Sequence, residues 1–282
     1  MQHAKVQFRT PRRLRRVPVS SPYFSPSKHS RQYLPLSSDE ECLSNPDSES
    51  ESGSDADLLQ DPLFCFYFRN FLLAYRRLAC LKPILIQESV AHDPWKLLIA
   101  VTLLNKTTGK LAIPVFKTII AKWPTPWALS HANLTELVAI LKPLGTHNIR
   151  SSRLIKLSEL YLRDPPYVPD LRPSTPRLPS SDTLAHDSSS KRTRYPPTPI
   201  SHLPGAGQYA LDSYRIFCTV HHPSTSDEWK VVMPSDKELI RYLRWKWAFV
   251  ERKEWIPGLG VIRSASLAYL NNLIAVLERG PS

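Results

Sequence analysis

The amino-acid sequence predicts an all-α fold, and three observations support this class. Apolar residues recur every three or four positions through most of residues 62–282, which is the spacing of amphipathic helices. Helix start signals precede several of these runs, and no segment shows the strict alternation of a half-buried strand. The 282-residue chain is 42% hydrophobic with seven tryptophans, enough for a core, while its 27 prolines indicate that part of the chain stays unpacked.

The first 61 residues differ in composition from the rest of the chain. Residues 1–35 contain eight Lys or Arg and no Asp or Glu, whereas residues 36–61 contain nine Asp or Glu and no Lys or Arg. With so little apolar spacing, residues 1–61 are predicted to be a disordered tail, basic and then acidic. The run RTPRRLRR is typical of a nuclear import signal or of a phosphate-binding arm, although a merely solvated tail fits it equally well. We expect a nuclear location, and the partners of the tail stay unknown.

Helical segments follow in order from residue 62. The run FCFYFRNFLLAYRRL is apolar on more than one face, and the next helix begins with Asp93 as N-cap and Pro94 at the first helical position. TGKLAIPVFKTIIAKW predicts a further helix, in which Pro114 could introduce a kink. Asn133 and Glu136 have the spacing of a capping box at the start of NLTELVAILKPLG. IRSSRLIKLSELYLRD completes this series of helices.

A Pro/Ser-rich stretch then interrupts the helical pattern. Residues 164–199 predict an insertion in a surface loop, flexible over about 164–194, within a single domain of residues 62–282. The pattern returns at Ile200 and continues in three segments, GQYALDSYRIFCTV, SDKELIRYLRWKWAFVERKEW and SASLAYLNNLIAVLERG. Tryptophans two positions apart cannot face one partner on a helix, so we expect the aromatic run around Trp245 and Trp247 to pack against the domain.

The charge of residues 62–282 points to a polyanion partner. This part of the chain carries 29 basic and 16 acidic residues, a net charge of +13, and nucleic acid is the commonest partner of such a surface. No apolar run approaches the roughly 20 residues that a membrane span needs, so no membrane partner is expected. The four cysteines share no metal-ligand spacing, which favours reduced thiols in an intracellular compartment.

The stretch HLPGAGQYALDSY suggests a binding turn. A dinucleotide site is excluded, because no third glycine follows Gly205 and Gly207 and no strand precedes them. The pattern instead predicts a helix that ends at Pro204, a tight turn, and a second helix whose first amides face outward and bind a DNA phosphate. An ordinary αα-hairpin with a glycine turn is the alternative. Carbonyl groups on the other side of the turn could hold a potassium or sodium ion: those of Ser201, Leu203 and Ala206.

LPGAGQYA resembles the helix-hairpin-helix signature of the endonuclease III-like DNA glycosylases. LIQESVAHDPWKLLIAVTLLNKTTGKLAIPVF, ILKPLG and YALDSYRIFC are similar to the glycosylase domain of the methyl-CpG-binding-domain thymine glycosylases. The resemblance covers roughly residues 83–163 and 195–249. It implies the helix-hairpin-helix glycosylase fold and a monofunctional enzyme of base excision repair, which flips thymine or uracil opposite guanine out of duplex DNA and hydrolyses the N-glycosidic bond.

The reaction needs a carboxylate, because N-glycosidic cleavage builds positive charge on the sugar. Asp212 and Asp236 are the two candidates. The resemblance assigns the catalytic role to Asp236, which starts a helix where backbone amides and the helix dipole favour a negative charge. Asp212 is expected to cap or pair within the hairpin.

The resemblance also implies the residues of the base pocket. Tyr209 stands where bifunctional relatives carry a lysine, and a phenol cannot form their Schiff base. Tyr209 matches the family's pocket tyrosine and is expected at the flipped base with a part in catalysis, and the amide of Gln87 is expected at the Watson-Crick edge of the pyrimidine.

Two departures from the resemblance concern the residues that enter the duplex. The family uses an arginine and a leucine where this chain has Lys106 and Thr146. Gly145 belongs to the same loop as Thr146, and His147 or Asn148 could share the wedge function.

No cofactor is required by this chemistry, and no iron-sulphur cluster is expected, because no cysteine follows Cys218. The expected partner is double-stranded DNA with a G:T or G:U mismatch, bound by a monomer. Two alternatives stay open: a glycosylase for another damaged base, and a non-catalytic helix-hairpin-helix DNA-binding protein.

Overall fold

A computed structural model describes residues 58–174, 195–221 and 226–280 of the protein. The predictions made for residues 1–57 of the tail and for residues 175–194 of the insertion lie outside this part. The described residues are mostly helical, which confirms the all-α class, and no helix among them is long and apolar enough to cross a membrane. The α-helices of the first part are α1 (Pro62–Cys80), α2 (Ile86–Ser89), α3 (Pro94–Leu104), α4 (Gly109–Lys122), α5 (Pro126–Ser130), α6 (Leu134–Leu141) and α7 (His147–Arg163). Helices α8 (Gln208–Ser213), α9 (Lys237–Val250) and α10 (Leu267–Glu278) follow, together with strands β1 (Lys253–Ile256) and β2 (Gly260–Ser264).

The predicted helix starts are confirmed where a side chain caps the helix. Asp93 accepts hydrogen bonds from the amides of Trp95 and Lys96, with Pro94 at the first position of α3. Asn133 likewise accepts from the amide of Glu136 at the start of α6. The capping box is only half formed, because the Glu136 carboxylate pairs with a lysine of α4 and does not return to the Asn133 amide.

Helix α3 is the centre of the core. Its residues from Leu97 to Leu103 are all buried, so this helix is covered on every side. It contacts α4, α7 and α8, and the indole Nε1 of Trp95 donates to the hydroxyl of Ser158 on α7 at 3.0 Å. The elements that carry or adjoin Lys106, Thr146 and Tyr209 are thus packed around one buried helix.

Helix α1 packs against the two C-terminal helices, α9 and α10. The indole of Trp245 donates to the carbonyl of Leu78 at 2.9 Å, and Tyr75 donates to the carbonyl of Ala248 at 3.1 Å. Trp245 and Trp247 are both buried, which confirms that the aromatic run of α9 is a packing surface.

One antiparallel hairpin, which the sequence pattern did not predict, follows α9. Strand β1 pairs with β2, with an irregularity of register between Glu254 and Trp255. Four- and five-residue strands with a bulge have no sustained alternation, so their pattern could not be distinguished from a loop.

The helix predicted before the glycine turn does not form. Residues 195–207 make successive turns, in which the Leu203 amide donates to the Ile200 carbonyl at 3.0 Å. Only four residues lie between Pro199 and Pro204, about one helical turn, and Pro204 disfavours a helical conformation at Leu203. Beyond the turn, α8 continues as a π-helical turn over Tyr214–Cys218.

The first residues of the predicted insertion contact this turn segment. Arg172 forms an antiparallel bridge with Thr198, and its guanidinium pairs with Asp164 and Asp170. His202 lies with its Nε2 atom 2.9 Å from the Asp164 carbonyl oxygen. Residues 164–174 are therefore tied to the glycine turn.

Candidate active site

Two of the predicted pocket residues are in direct contact. Gln87 on α2 is only 2% exposed, and its Nε2 atom donates to the hydroxyl of Tyr209 at 2.7 Å. Tyr209 lies in the first turn of α8, just beyond the glycine turn. The fold therefore brings together side chains that are 122 positions apart in the chain.

Asp236 lies close enough to act electrostatically on this pair. Burial raises the pKa of Tyr209 above its usual range, and the negative charge of Asp236 raises this pKa further, against the lowering effect of the Gln87 hydrogen bond. One carboxylate oxygen of Asp236 accepts from the amides of Glu238 and Leu239, both at 3.0 Å. Asp236 is thus the N-cap of α9 and lies within electrostatic range of Tyr209.

Asp212 has a different environment from Asp236. It is 2% exposed and accepts a hydrogen bond from the Tyr195 hydroxyl at 2.7 Å. Burial raises the pKa of Asp212 to about 6, although the Tyr195 hydrogen bond and the positive Arg215 act in the opposite direction. Asp236 raises the same pKa, which places the two carboxylates within electrostatic range. Asp212 therefore pairs inside the hairpin region, as expected, and its oxygen is engaged.

Arg215 carries a positive charge that acts on Asp212, and neither this contact nor the ion pair of Arg215 with Glu228 was predicted from the sequence. Arg215 is 8% exposed, its guanidinium lies 5.8 Å from the Tyr195 ring centroid, and its Nε donates to Glu228 at 3.0 Å. Glu228 begins a 3-10 turn, Glu228–Val231, in the segment that leads to Asp236. The Arg215 guanidinium thus joins the π-helical turn after α8 to the segment that precedes Asp236. A basic residue three positions after a buried acid was the only sequence signal for this contact.

The glycine turn shows different constraints at its two glycines. Gly205 has φ of +87°, and a Cβ atom there would meet the Thr102 hydroxyl at 3.2 Å. Gly207 has φ of −78° and open space around it. The Leu203 side chain is buried, so only its backbone could contact DNA. Gly205 is required by packing, whereas nothing in the free protein requires a glycine at position 207.

The carbonyl groups proposed for a monovalent cation have free acceptor capacity. Within the described residues, the Ser201 and Ala206 carbonyl oxygens accept no hydrogen bond, and that of Leu203 accepts one, from the Ala206 amide at 3.2 Å. Oxygen donors of this kind suit a hard cation. Among the residues that the structure describes, no group of three or more His, Cys, Asp or Glu side chains could hold a metal ion.

The two loops predicted to enter the duplex have the same unusual backbone conformation. Lys106 has φ of +60° and Thr146 has φ of +46°, both left-handed, and Gly145 beside it has φ of +69°. Lys106, Thr146 and Asn148 are exposed. His147 is half-buried, and its Nδ1 atom has no hydrogen-bond partner among the described residues.

Comparison with known proteins shows similarity to DNA glycosylases. The chain is 40% identical to a thymine/uracil-DNA glycosylase of Pyrobaculum aerophilum over 73 residues, which are 26% of this chain and 32% of that protein. It is 36% identical to a thymine-DNA glycosylase of Aeropyrum pernix over 67 residues, 24% of this chain and 30% of the relative. The resemblance to the thymine DNA glycosylases is thereby confirmed.

A third similarity extends further along the chain. A methyl-CpG-binding domain protein 4-like protein of Arabidopsis thaliana is 27% identical over 158 residues, which are 56% of this chain and 27% of that protein. The matches therefore span about a third or less of the length of these curated relatives. No family model matches the chain.

Proposed function

We propose that this protein is a monofunctional DNA glycosylase that excises thymine or uracil opposite guanine from duplex DNA. The hydrogen bond between Gln87 and Tyr209, with Asp236 in electrostatic range of Tyr209, supports this proposal most strongly. The named glycosylase relatives and the net charge of +13 on residues 62–282, which suits a DNA partner, add to it.

In this mechanism the target base leaves the stack and enters the site beside Gln87 and Tyr209. The buried amide of Gln87 reads the Watson-Crick edge of the pyrimidine, and Tyr209 contacts the base. The electron pair of the N-glycosidic bond leaves with the base, and C1′ of the sugar becomes cationic. Asp236 supplies the negative charge that stabilises this cation or orients the water that adds to C1′. The departing base takes up a proton, the added water gives one up, and the products are the free base and an abasic site.

Tyr209 makes the enzyme monofunctional, since a phenol cannot attack C1′ to form an imine. The backbone of the turn from Leu203 to Gly207 binds a phosphate beside the lesion. The carbonyls of Ser201, Leu203 and Ala206 would hold a potassium or sodium ion next to that phosphate, where its charge favours DNA binding.

Lys106 and the loop 145–148 enter the duplex and fill the space that the extruded base leaves. Neither Lys106 nor Thr146 is the residue that the resemblance predicts there. We therefore expect weaker discrimination for guanine as the opposite base than in relatives with the arginine and the leucine. We propose that the protein acts as a monomer in the nucleus, in keeping with the basic run of residues 9–16.

The decisive experiment is single-turnover excision from G:T and G:U duplexes by wild type and Asp236→Asn. Asparagine keeps an oxygen for the N-cap, so the fold is retained while the charge is lost. We expect the rate to fall about 100-fold or more. Asp93→Asn is the matched control, because Asp93 caps α3 with the same two kinds of amide bond.

Three results would contradict the proposal. Full activity of Asp236→Asn would remove the catalytic assignment. Release of another damaged base without turnover of G:U would change the substrate, and duplex binding without release of any base would indicate a DNA-binding module.

A further inference from the structure

Arg150 is an unusual residue in α7, because a positive charge is buried with only neutral partners. Its side chain is 7% exposed and donates to the Leu103 carbonyl at 3.0 Å, the Asn105 carbonyl at 2.9 Å and the Thr107 hydroxyl at 2.8 Å. No carboxylate of the described part of the chain forms an ion pair with it. Burial and the neighbouring Arg153 lower the pKa of Arg150. Burial removes the guanidinium from water, which is unfavourable, so its hydrogen bonds have to compensate for the lost hydration.

These bonds lie on both sides of Lys106. Asn105 precedes this residue and Thr107 follows it, and the Arg150 guanidinium binds both. Lys106 itself is exposed and has the left-handed conformation, which is unfavourable for a residue with a side chain. Arg150 thus fixes the backbone that presents Lys106.

Arg150 lies one helical turn after Thr146, an exposed residue of the second loop. Its amide donates to the Thr146 carbonyl at 3.0 Å, in the first turn of α7. Thr146 is β-branched and left-handed, and its side chain makes no capping hydrogen bond. A strained residue of this kind persists only where its surroundings fix it. The Arg150 side chain therefore ties the first turn of α7, which follows Thr146, to the backbone around Lys106.

We propose that Arg150 is a positioning residue, which holds Lys106 and Thr146 at a fixed separation for entry into the duplex. This inference rests on the proposed function. A preset separation lowers the entropic cost of inserting both side chains when the base is extruded. Lys106 and Thr146 contact the DNA, and Arg150 contributes only by positioning them.

The experiment measures base extrusion directly, with 2-aminopurine next to uracil in a G:U duplex and with Arg150→Met and Arg150→Lys. The fluorescence rise at saturating protein reports extrusion, anisotropy reports binding to an undamaged duplex, and single-turnover assays report excision. Lys156→Met is the control, since it removes an exposed charge from the same helix.

We expect Arg150→Met to slow extrusion and excision about 10- to 100-fold, while its affinity for undamaged duplex changes less than about threefold. Arg150→Lys should recover part of the rate, because lysine restores the charge and one donor without the planar fork. Lys156→Met should behave as wild type.

Extrusion at the wild-type rate in both Arg150 variants would overturn the inference. Loss of cooperative unfolding in both variants, or equal losses in extrusion and undamaged-duplex binding, would show a purely structural role and would overturn it too. Wild-type protein that extrudes uracil without releasing it would refute the proposed reaction and leave the positioning role standing. Wild-type protein that neither extrudes nor releases uracil would refute both the proposed reaction and the positioning role.

Discussion

The amide of Gln87 and the hydroxyl of Tyr209 form a 2.7 Å hydrogen bond that joins α2 to the first turn of α8. Both groups lie in the proposed base pocket, and the Gln87 amide is almost completely buried. The two side chains therefore hold each other in place in the free protein. When a base enters, this pair provides a polar wall whose geometry is already set.

Tyr209→Phe should destabilise the protein, because it leaves the buried Gln87 nitrogen without its partner. We expect a loss of about 1–3 kcal/mol in the free energy of unfolding, measured by urea denaturation. Tyr167→Phe is the control, since the Tyr167 side chain is largely exposed. Equal stability of Tyr209→Phe and wild type would show that the hydrogen bond contributes nothing.

Alanine substitutions at the two glycines of the turn should separate packing from DNA binding. At position 207 the added Cβ atom has no neighbour within 4 Å, and φ is −78°, which any residue adopts. The free energy of unfolding of Gly207→Ala should therefore stay within about 0.5 kcal/mol of wild type. Its duplex affinity should fall about tenfold, because the added methyl group keeps a phosphate away from the backbone. Gly205→Ala should instead lose about 1–3 kcal/mol of stability, because its φ is +87°.

Thermal denaturation and fluorescence anisotropy with duplex DNA measure the two effects. The anisotropy titration should be repeated over a range of salt concentrations, since phosphate contacts weaken steeply as salt rises. Unchanged DNA affinity in Gly207→Ala would contradict a phosphate contact at this turn.

Asp212→Asn should change how stability depends on pH. The pKa of Asp212 is about 6 in the folded protein, above its value of roughly 3.9 in an unfolded chain, so the folded state holds the proton more tightly. The resulting stabilisation is complete below about pH 4 and is lost as the pH rises through 6. Asparagine carries no charge and keeps an oxygen for Tyr195, so the variant should be more stable than wild type at pH 7 by about 1–3 kcal/mol.

Urea denaturation at pH 4, 5, 6 and 7 tests this expectation, with the exposed Asp227→Asn as control. The difference between Asp212→Asn and wild type should grow from pH 4 to pH 7. A variant that is less stable than wild type at pH 7 would mean that the Asp212 carboxylate is stabilised by Tyr195 and Arg215 more than it is penalised by burial.

Lys106→Arg should sharpen recognition of the base opposite the lesion. Arginine presents a planar fork that can bind guanine through two hydrogen bonds, and a good bidentate pair discriminates between bases by about 1–3 kcal/mol. The ratio of uracil excision opposite guanine to that opposite adenine should therefore rise about fivefold or more. Lys110→Arg, an exposed change in the first turn of α4, should leave the ratio unchanged. Equal ratios for Lys106→Arg and wild type would place Lys106 away from the opposite base.

The sequence by itself determined the features that depend on local interactions. Asp93 with Pro94, and Asn133 at the start of α6, mark helix starts because a cap side chain binds amides two and three positions ahead. The resemblance carried by LPGAGQYA, LIQES and YALDSYRIFC predicted Gln87 and Tyr209 as pocket residues, and the structure places these two side chains in direct contact.

Only the tertiary structure decided the contacts between distant segments. The pairing of Asp212 with Tyr195, and the three bonds from Arg150 to the chain around Lys106, join residues that no helical period or turn signal relates. The turns before Gly205 and the bulged hairpin β1–β2 were also missed, because prolines and a register shift override the local pattern. Helix caps and helical periodicity depend on residues within one or two turns of each other in the sequence. The burial of a charge such as that of Arg150 depends on contacts with residues far away in the sequence.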